Sequence, residues 1–367
     1  MKVEDISLLD SNFAGEDIRY EGLKVYNIKS KPFHVYGFYN LEEEEKYYRL
    51  PGSLAEKLNK QVRSLYRHTS GGRIRFRTNS TKIILNCILP SIVKHSHMPR
   101  TGSGCFDLYV DGEYFNVFRS ERNIQGFTKG SERTDEGYES GYVLGEPKMR
   151  DILINFPLYN RVDDVFIALD EDAVVEEACE YTYNKPIVFY GSSITQGACA
   201  SHPGNCYPLM LSRRLDADIL NLGFSDGARG EIEMAEYIAS LDMSALVYDY
   251  DHNAKTIEEL EYTHERMFQI IRNKNKDIPI IMVSCADRHF KEEVDRRKDI
   301  IKTTYEHAVR AGDKNVYFVD GQSIYDGVGR EYCTVDDIHP NDIGFLMMAN
   351  AIENVLKRAM EDKAIKA

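Results

Sequence analysis

The stretch that decides the fold is Pro186-Ile187-Val188-Phe189-Tyr190-Gly191-Ser192-Ser193-Ile194-Thr195-Gln196-Gly197. It begins with an uncharged apolar run, which is typical of a strand buried on both faces, and the following glycine and serines predict a turn into a helix. Similar apolar runs occupy residues 218–222, 245–248, 278–283 and 315–319, and helical patterns occupy residues 207–215, 231–241, 257–274, 292–311 and 344–357. This alternation predicts a parallel sheet that helices cover on both faces.

The residues before about position 180 follow a different pattern, with short apolar and aromatic runs separated by turn signals. Residues 73–78 alternate charged and apolar side chains, as a half-buried strand does. Asp111-Gly112 lies between two such runs and predicts a tight hairpin. We therefore expect a jelly-roll-like β-sandwich with one helix near residues 54–65. A chain of 367 residues is long enough for two domains, which we place at residues 1–180 and 181–367.

Composition and charge exclude several classes of protein. The chain is 43% apolar and 29% charged, which is ordinary for a globular protein and not for a disordered one. It has 46 Lys plus Arg against 59 Asp plus Glu, a formal net charge of −13, so we expect no nucleic-acid partner. No apolar stretch approaches the roughly 20 residues of a membrane span, and the first residues lack a signal-peptide pattern. We expect a cytoplasmic protein without a membrane partner.

The seven cysteines are scattered and form no Cys-x-x-Cys pair. The sequence also lacks a His-Glu-x-x-His zinc motif and a glycine-rich phosphate loop. We therefore expect reduced thiols, no metal and no cofactor.

Polar residues follow the predicted strands at the edge where a parallel sheet binds its ligands. Ser193 comes after the first strand, and a serine hydroxyl needs a base within hydrogen-bond reach to act as a nucleophile. His339 is a candidate base because imidazole titrates near neutral pH. Asp336 precedes it by three residues, a spacing that allows its carboxylate to orient the imidazole. Together they predict a catalytic triad.

Two further clusters offer groups that could hold the developing oxyanion. Asn253, after the third strand, offers its side-chain amide, and the turn from Ser225 through Asp226 to Gly227 offers backbone N–H groups. Tyr207 and Tyr250 are expected near the same rim. Each of these six residues also has an ordinary structural interpretation as a turn or packing residue.

The clusters in this order resemble the four sequence blocks of the SGNH (GDSL-type) hydrolases. The resemblance implies a flavodoxin-like three-layer α/β/α domain, with Ser193 as nucleophile, His339 as base and Asp336 orienting it. It also implies an oxyanion hole that includes Asn253 and a backbone N–H of the second block. In the first half, Gly104-Cys105-Phe106-Asp107-Leu108-Tyr109 resembles the GxDLY motif of a β-sandwich domain that precedes certain SGNH esterases.

The second block departs from the family pattern. Where the family has glycine after the serine, this chain has Asp226, followed by Gly227. A carboxylate beside a developing oxyanion repels it unless the side chain points away. The backbone donor is therefore expected to be Asp226 with its side chain turned outward, or Gly227. The first block has Ser192 where the family has aspartate, which we expect to be harmless.

The triad predicts a serine esterase that acts through an acyl-enzyme. The resemblance implies that it hydrolyses small O-acyl esters, above all O-acetyl groups on carbohydrates, on whose sugar rings Tyr207 and Tyr250 could stack. Acyl transfer to an alcohol other than water uses the same intermediate and remains open. A non-catalytic carbohydrate-binding protein, in which the Asp226 turn marks a decayed site, is the other alternative. The expected partner is a small-molecule or oligosaccharide ester, and a homo-oligomer is compatible with the sequence. The acyl length and the alcohol are left open.

Overall fold

The structure is a computed structural model, and it describes residues 22–364 except residues 92, 94, 120–136 and 287–292. In chain order, the first ten strands are β1 Leu23–Asn27, β2 His34–Tyr36, β3 Arg73–Thr78, β4 Lys82–Ile88, β5 Phe106–Val110, β6 Glu113–Phe118, β7 Gly137–Val143, β8 Arg150–Asn155, β9 Asp164–Asp170 and β10 Val175–Glu176. The helices among them are α1 Leu41–Glu44, α2 Gly52–Ala55, α3 Lys60–Leu65 and α4 Arg100–Ser103.

These ten strands form two antiparallel sheets that pack face to face. One has the order β1-β9-β4-β7, and the other has the order β10-β3-β8-β5-β6 with β2 paired to β3. Side chains from both sheets share one core, for example Leu85 and Ile167 from the first and Phe76 and Ile154 from the second. The predicted sandwich is confirmed in this arrangement.

The hairpin between β5 and β6 forms where the sequence predicts it. Asp111 has a φ of 52° and Gly112 a φ of 85°, so both turn residues are left-handed. Such a turn matches the twist of the two flanking strands, and aspartate and glycine tolerate it best.

The second half contains five strands and seven helices in its described part. The strands are β11 Tyr183–Gly191, β12 Ala217–Gly223, β13 Ala245–Asp249, β14 Ile280–Val283 and β15 Val316–Val319. The helices are α5 Ser193–Gln196, α6 Tyr207–Leu215, α7 Ile232–Ser240, α8 Ile257–Lys274, α9 Val294–Arg310, α10 Arg330–Cys333 and α11 Asp342–Ala364. In the described residues, none of these helices has the length and apolar character that crossing a bilayer requires.

All neighbouring pairs in this sheet are parallel, and the order is β12-β11-β13-β14-β15. This is the flavodoxin-like strand order, so the predicted three-layer fold is confirmed. Successive residues of β11 point to opposite faces, as strand geometry requires. Phe189 packs in the core that includes α6 and α11, whereas Val188 and Tyr190 pack in the core that includes α7, α8 and α9.

The helix predicted near residues 54–65 is two short helices, because Asn59 interrupts it. The Asn59 side chain caps α3 by accepting hydrogen bonds from the N–H groups of Gln61 and Val62, both at 3.1 Å. Although α2 and α3 lie in the first half of the chain, Val62 packs in the core of the parallel sheet with Leu222. Part of the N-terminal half therefore supports the α/β domain.

Asp107 of the GxDLY-like motif joins the two domains. Its buried carboxylate accepts hydrogen bonds from the N–H of Gly204 at 2.6 Å and from the side chain of Asn155 at 2.7 Å. It also lies 2.6 Å from Nδ1 of His202. Gly204 and His202 belong to the segment that connects α5 to α6, so the motif holds the chain that follows the predicted nucleophile.

Replacing Asp107 by alanine should lower the free energy of unfolding by at least about 2 kcal/mol, because it leaves buried donors without an acceptor. Urea unfolding followed by far-ultraviolet circular dichroism measures this loss. The control is Asp151→Ala, which removes an exposed carboxylate that pairs with Arg77 at 3.2 Å on the surface of the same domain. It should cost less than about 1 kcal/mol. Equal losses in the two variants would show that Asp107 does not join the domains.

Candidate active site

Ser193 lies at the carboxyl end of β11, on the first turn of α5. Ser192 caps this helix, since its Oγ accepts a hydrogen bond from the N–H of Ile194 at 3.2 Å. The strand can turn this sharply because residue 191 is glycine: a β-carbon there would collide with the side chain of Thr195 and the carbonyl oxygen of Asp249. The Ser193 hydroxyl is thereby held at the carboxyl edge of the parallel sheet, where the sequence predicts the active site.

The structure brings the three predicted triad residues together. Ser193 Oγ lies 3.0 Å from His339 Nε2, and His339 Nδ1 lies 2.8 Å from Asp336 Oδ2. The other carboxylate oxygen of Asp336 accepts the backbone N–H of His339 at 2.7 Å. The loop that carries both residues is closed by a hydrogen bond from the N–H of Val335 to the carbonyl oxygen of His339 at 2.9 Å. The aspartate therefore folds back onto the imidazole, as its spacing predicts.

The surroundings keep His339 in the neutral form needed by a base. Burial lowers its pKa from the ordinary 6.5, and the nearby His252 and His97 lower it further, while the carboxylate of Asp336 opposes them. Burial by itself raises the pKa of Asp336, but its hydrogen bonds from His339 and Ile338 outweigh this and lower the pKa overall. An ionised Asp336 beside a neutral imidazole can stabilise the imidazolium that proton uptake creates.

A cavity of about 310 Å³ opens beside Ser193 and His339. Its described lining is polar apart from one alanine and consists of Ser193, Ser225, Asp226, His252, Asn253, Ala254, Lys255 and His339. The four predicted sequence clusters thus meet at one surface. His252 and Lys255 are additional members that the sequence analysis does not assign to the site.

Asn253 follows β13 in a short 3-10 turn and lines this cavity. Its side-chain NH₂ donates one hydrogen bond to the carbonyl oxygen of Phe224 at 2.8 Å. Since an amide nitrogen carries two hydrogens, a second one remains for a ligand. The bond to Phe224 fixes the amide in place before a ligand binds.

The carboxylate of Asp226 is bound by cationic and amide groups. It accepts a hydrogen bond from Gln61 Nε2 at 2.9 Å, lies 3.4 Å from Arg229 Nη2 and forms an ion pair with Lys255. Burial raises the pKa of Asp226, but Lys255, Arg229 and Gln61 outweigh it, so the pKa lies below its usual value. The φ of Asp226 is 55°, a left-handed conformation that aspartate tolerates in place of the family glycine.

Gly227 does not fit the expected role of oxyanion donor. Its N–H already donates to the carbonyl oxygen of Phe224 at 2.9 Å, and the residue packs against Val62 of α3. The N–H of Ser225 is also engaged, by Gln196 Oε1 at 3.1 Å. The N–H of Asp226 has no acceptor among the described residues, and Asp226 lines the cavity. Of the two expected donors, the geometry favours Asp226.

Tyr207 and Tyr250 do not lie on the rim, so the prediction that they stack on a sugar is wrong. Their exposed fractions are 0% and 1%, because both rings pack in the cores of the α/β domain. Tyr207 donates a hydrogen bond at 3.2 Å to the buried carboxylate of Asp249, and burial raises the pKa of Asp249 to about 7. Tyr250 instead lies 2.7 Å from the hydroxyl of Thr263. Both tyrosines support the sheet beneath the site.

The N-terminal half contributes residues to the site that the sequence analysis missed. The hydroxyl of Tyr159 donates to the carbonyl oxygen of Ser193 at 3.1 Å, and the ring of His97 lies 5.4 Å from that of His339 between centroids. Gln61 holds Asp226 as described above. No local pattern marks these residues, because each reaches the site through a contact distant in sequence.

Comparisons with protein families agree with this architecture. Residues 184–357 match the GDSL-like lipase/acylhydrolase family, and residues 23–175 match the GxDLY family, described as the N-terminus of SGNH-hydrolase-type esterases. The chain belongs to the SGNH (GDSL-type) hydrolases. By class, this SGNH hydrolase is a carboxylic ester hydrolase with a GxDLY-type N-terminal domain.

Several solved structures are similar to this SGNH hydrolase along most of its length. A protein of Bacteroides ovatus described as a GDSL-like lipase has 26% identity and a TM-score of 0.79, with 92% of this chain and 98% of that chain covered. A salicylyl-acyltransferase from a tetracycline biosynthetic pathway has 19% identity and a TM-score of 0.74, with 95% of this chain and 99% of that chain covered. An acetyl xylan esterase of Butyrivibrio proteoclasticus has 12% identity and a TM-score of 0.56, with 92% of this chain and 99% of that chain covered. Among curated protein sequences, none matches this SGNH hydrolase.

We expect His339 to titrate with a midpoint below 6.5, because burial disfavours the imidazolium. Asp336→Asn removes the carboxylate that raises this pKa, so the midpoint should move further down. The nuclear magnetic resonance signal of the His339 ring, assigned by its loss in His339→Gln, reports both midpoints. The control is Asp337→Asn, which removes the carboxylate of the residue that follows Asp336. This change should leave the titration midpoint of His339 in place. An upward shift in Asp336→Asn would contradict the geometry described here.

Proposed function

We propose that this SGNH hydrolase is a serine esterase that removes short acyl groups, acetyl above all, from the hydroxyls of carbohydrates. The observation that carries the proposal is the hydrogen-bonded series Ser193–His339–Asp336, with separations of 3.0 and 2.8 Å, at the edge of a polar cavity. Hydroxyl, imidazole and carboxylate in this order are the parts that activate a serine for attack on a carbonyl.

In the first half of the reaction, Ser193 Oγ attacks the ester carbonyl carbon while His339 Nε2 takes the hydroxyl proton. The resulting imidazolium is stabilised by the carboxylate of Asp336 on its other nitrogen. His339 then gives that proton to the leaving alcohol oxygen as the bond from carbon to that oxygen breaks. The acyl group remains on Ser193 as an ester, and the alcohol leaves.

The negative charge that develops on the carbonyl oxygen requires hydrogen-bond donors in place beforehand. Asn253 supplies the second hydrogen of its amide, and the backbone of the Asp226 turn supplies an N–H. The Asp226 carboxylate opposes this charge less than an unpaired carboxylate would, since it pairs with Lys255 and Arg229.

In the second half, a water molecule attacks the acyl-enzyme while His339 takes one of its protons. The bond between the acyl carbon and Ser193 Oγ then breaks, His339 returns the proton to Ser193, and the carboxylic acid leaves. The Asp336 side chain is 34% exposed, so the triad borders solvent and water has access.

The lining of the cavity supports a short acyl group and a polar alcohol. Among the described lining residues only Ala254 has an apolar side chain, so a long acyl chain would find no cluster of apolar side chains against which to bury. The histidine, serine, lysine and carboxylate groups there offer hydrogen bonds to a polyhydroxylated alcohol. An acetyl xylan esterase is among the solved structures with the same fold, which is consistent with an acetylated carbohydrate as substrate.

Replacing Ser193 by alanine should lower kcat for an activated acetyl ester at least about 10³-fold, because the acyl-enzyme cannot form. Release of the chromophoric alcohol measures the rate, and labelling by a fluorophosphonate reports the nucleophile directly. Ser323→Ala, which removes an exposed serine hydroxyl of the same domain, is the matched control and should keep both activity and labelling. Unchanged turnover in Ser193→Ala would overturn the proposed mechanism.

The acyl and alcohol preferences can be tested on the unmodified enzyme. We expect kcat/KM to fall from acetyl to octanoyl esters of one chromophoric alcohol, because Ala254 is the one apolar side chain that the described cavity lining offers to a long chain. Acetate release from acetylated xylo- and manno-oligosaccharides then tests the carbohydrate assignment, with acetylated amino alcohols as the comparison. Rates that increase with acyl length, or the absence of acetate release from every saccharide, would contradict this substrate class. Formation of new esters when alcohols are added would identify an acyltransferase.

A further inference from the structure

The proposed catalytic base is one of three neighbouring side chains whose chemistry suits a metal ion. His97, Cys199 and His339 each offer a ligand atom, and these atoms all lie within 4.8 Å of one another. Cys199 is buried, while His97 and His339 are partly buried. The three residues come from three separate segments of the chain, so the sequence shows no zinc motif.

Two imidazole nitrogens and a thiol are the ligands that zinc prefers, whereas magnesium and calcium prefer oxygen. Zinc binds nitrogen at about 2.0–2.1 Å and sulfur at about 2.3 Å, which places tetrahedral ligands roughly 3.3–3.6 Å apart. The three ligand atoms therefore need to approach one another by at most about 1.5 Å, a distance that small rotations of the side chains can supply.

The hydrogen bonds of His339 prepare it for a metal as well as for a proton. Asp336 accepts the hydrogen on Nδ1, which leaves the lone pair on Nε2 free to bind. A carboxylate on the far nitrogen of a histidine is also the usual outer partner of a zinc-bound imidazole. The same lone pair cannot bind zinc and take the proton of Ser193, so the two uses exclude each other.

Cys199 is held in an unusual conformation that directs its sulfur to this place. Its φ is 77°, in the left-handed region that glycine or asparagine adopts more readily, and its sulfur lies 3.4 Å from the carbonyl oxygen of His97. An unfavourable backbone conformation that the surrounding structure maintains is a reason to look for a role of the residue. The contact with His97 keeps two of the three ligands together in the absence of a metal.

We propose that His97, Cys199 and His339 form a zinc site and that zinc bound there switches the esterase off reversibly. Binding releases the thiol proton to solvent and places zinc on His339 Nε2, so that Ser193 loses its base. The inhibitory half of this proposal rests on the proposed function, whereas zinc binding does not. Removal of zinc by a chelator restores the hydrogen bond between His339 and Ser193.

The binding half is tested on the full chain carrying Ser193→Ala, which is catalytically silent but keeps all three ligands. Equilibrium dialysis against zinc chloride should give one zinc per chain. Loss of an outer-sphere partner already costs about 10–100-fold in metal affinity, so adding Cys199→Ala should weaken binding more than about tenfold. Adding Cys179→Ala, which removes the exposed thiol, is the control and should leave the affinity unchanged. Equal affinity in the Cys199→Ala and control proteins would overturn the site.

A spectroscopic measurement separates ligation from a loss of folding. Cobalt(II) bound by a thiolate gives a charge-transfer band in the near ultraviolet, which should appear in the Ser193→Ala protein and in its Cys179→Ala form. It should be absent in the Cys199→Ala form. In the His97→Gln form the band should require at least about tenfold more cobalt, because one nitrogen ligand is missing. Identical cobalt spectra for all these proteins would contradict the assignment.

The inhibitory half is tested on proteins that carry the native Ser193, each compared with its own metal-free rate. Zinc should inhibit the wild type and Cys179→Ala, and EDTA should reverse the inhibition, whereas Cys199→Ala should need more than about tenfold more zinc. Magnesium chloride should have no effect. Zinc that binds at this site without changing ester hydrolysis would overturn the switch. Full activity of Ser193→Ala would instead overturn the proposed function and leave the dialysis result intact.

Discussion

The site depends on the close contact between the short helix α5 and the carboxyl ends of β11, β12 and β13. This contact is possible because Gly191 and Gly223 lack side chains: a β-carbon at either position would collide with Thr195 or with the backbone of Gln196. With the helix seated there, Ser193 is fixed at the edge of the sheet. The loop that carries His339 then needs to bring only one ring nitrogen within 3.0 Å of the hydroxyl.

The N-terminal domain belongs to the scaffold of the site. Arg49 is fully buried, and its guanidinium donates to the carbonyl oxygens of Asn221 at 2.9 Å and Gly223 at 2.7 Å, at the end of β12. Tyr159 binds the backbone of Ser193 directly. Together with the junction at Asp107, these bonds connect the sandwich to both sides of the predicted nucleophile. Because the bonds are buried, breaking any one leaves a polar group without a partner, which makes the two domains interdependent.

Charge compensation explains how the site accommodates an aspartate where the family has glycine. The carboxylate of Asp226 forms ion pairs with Lys255 and Arg229. It also accepts a hydrogen bond from Gln61, a residue of the N-terminal domain. The cost of placing a negative charge near a developing oxyanion is therefore reduced by neighbours rather than avoided. His339 shows the same dependence, since burial, two neighbouring histidines and one carboxylate set its proton affinity together.

The amino-acid sequence by itself determined the alternation of strands and helices, the hairpin at Asp111 and the identity of the triad candidates, because these depend on local periodicity and on spacing within one loop. Only the tertiary structure decided that Gly227 is engaged elsewhere and that Tyr207 and Tyr250 are buried. It alone also placed His97 and Cys199 beside His339. Those outcomes depend on contacts between segments far apart in the chain, and local pattern carries no information about which distant side chain occupies a given space.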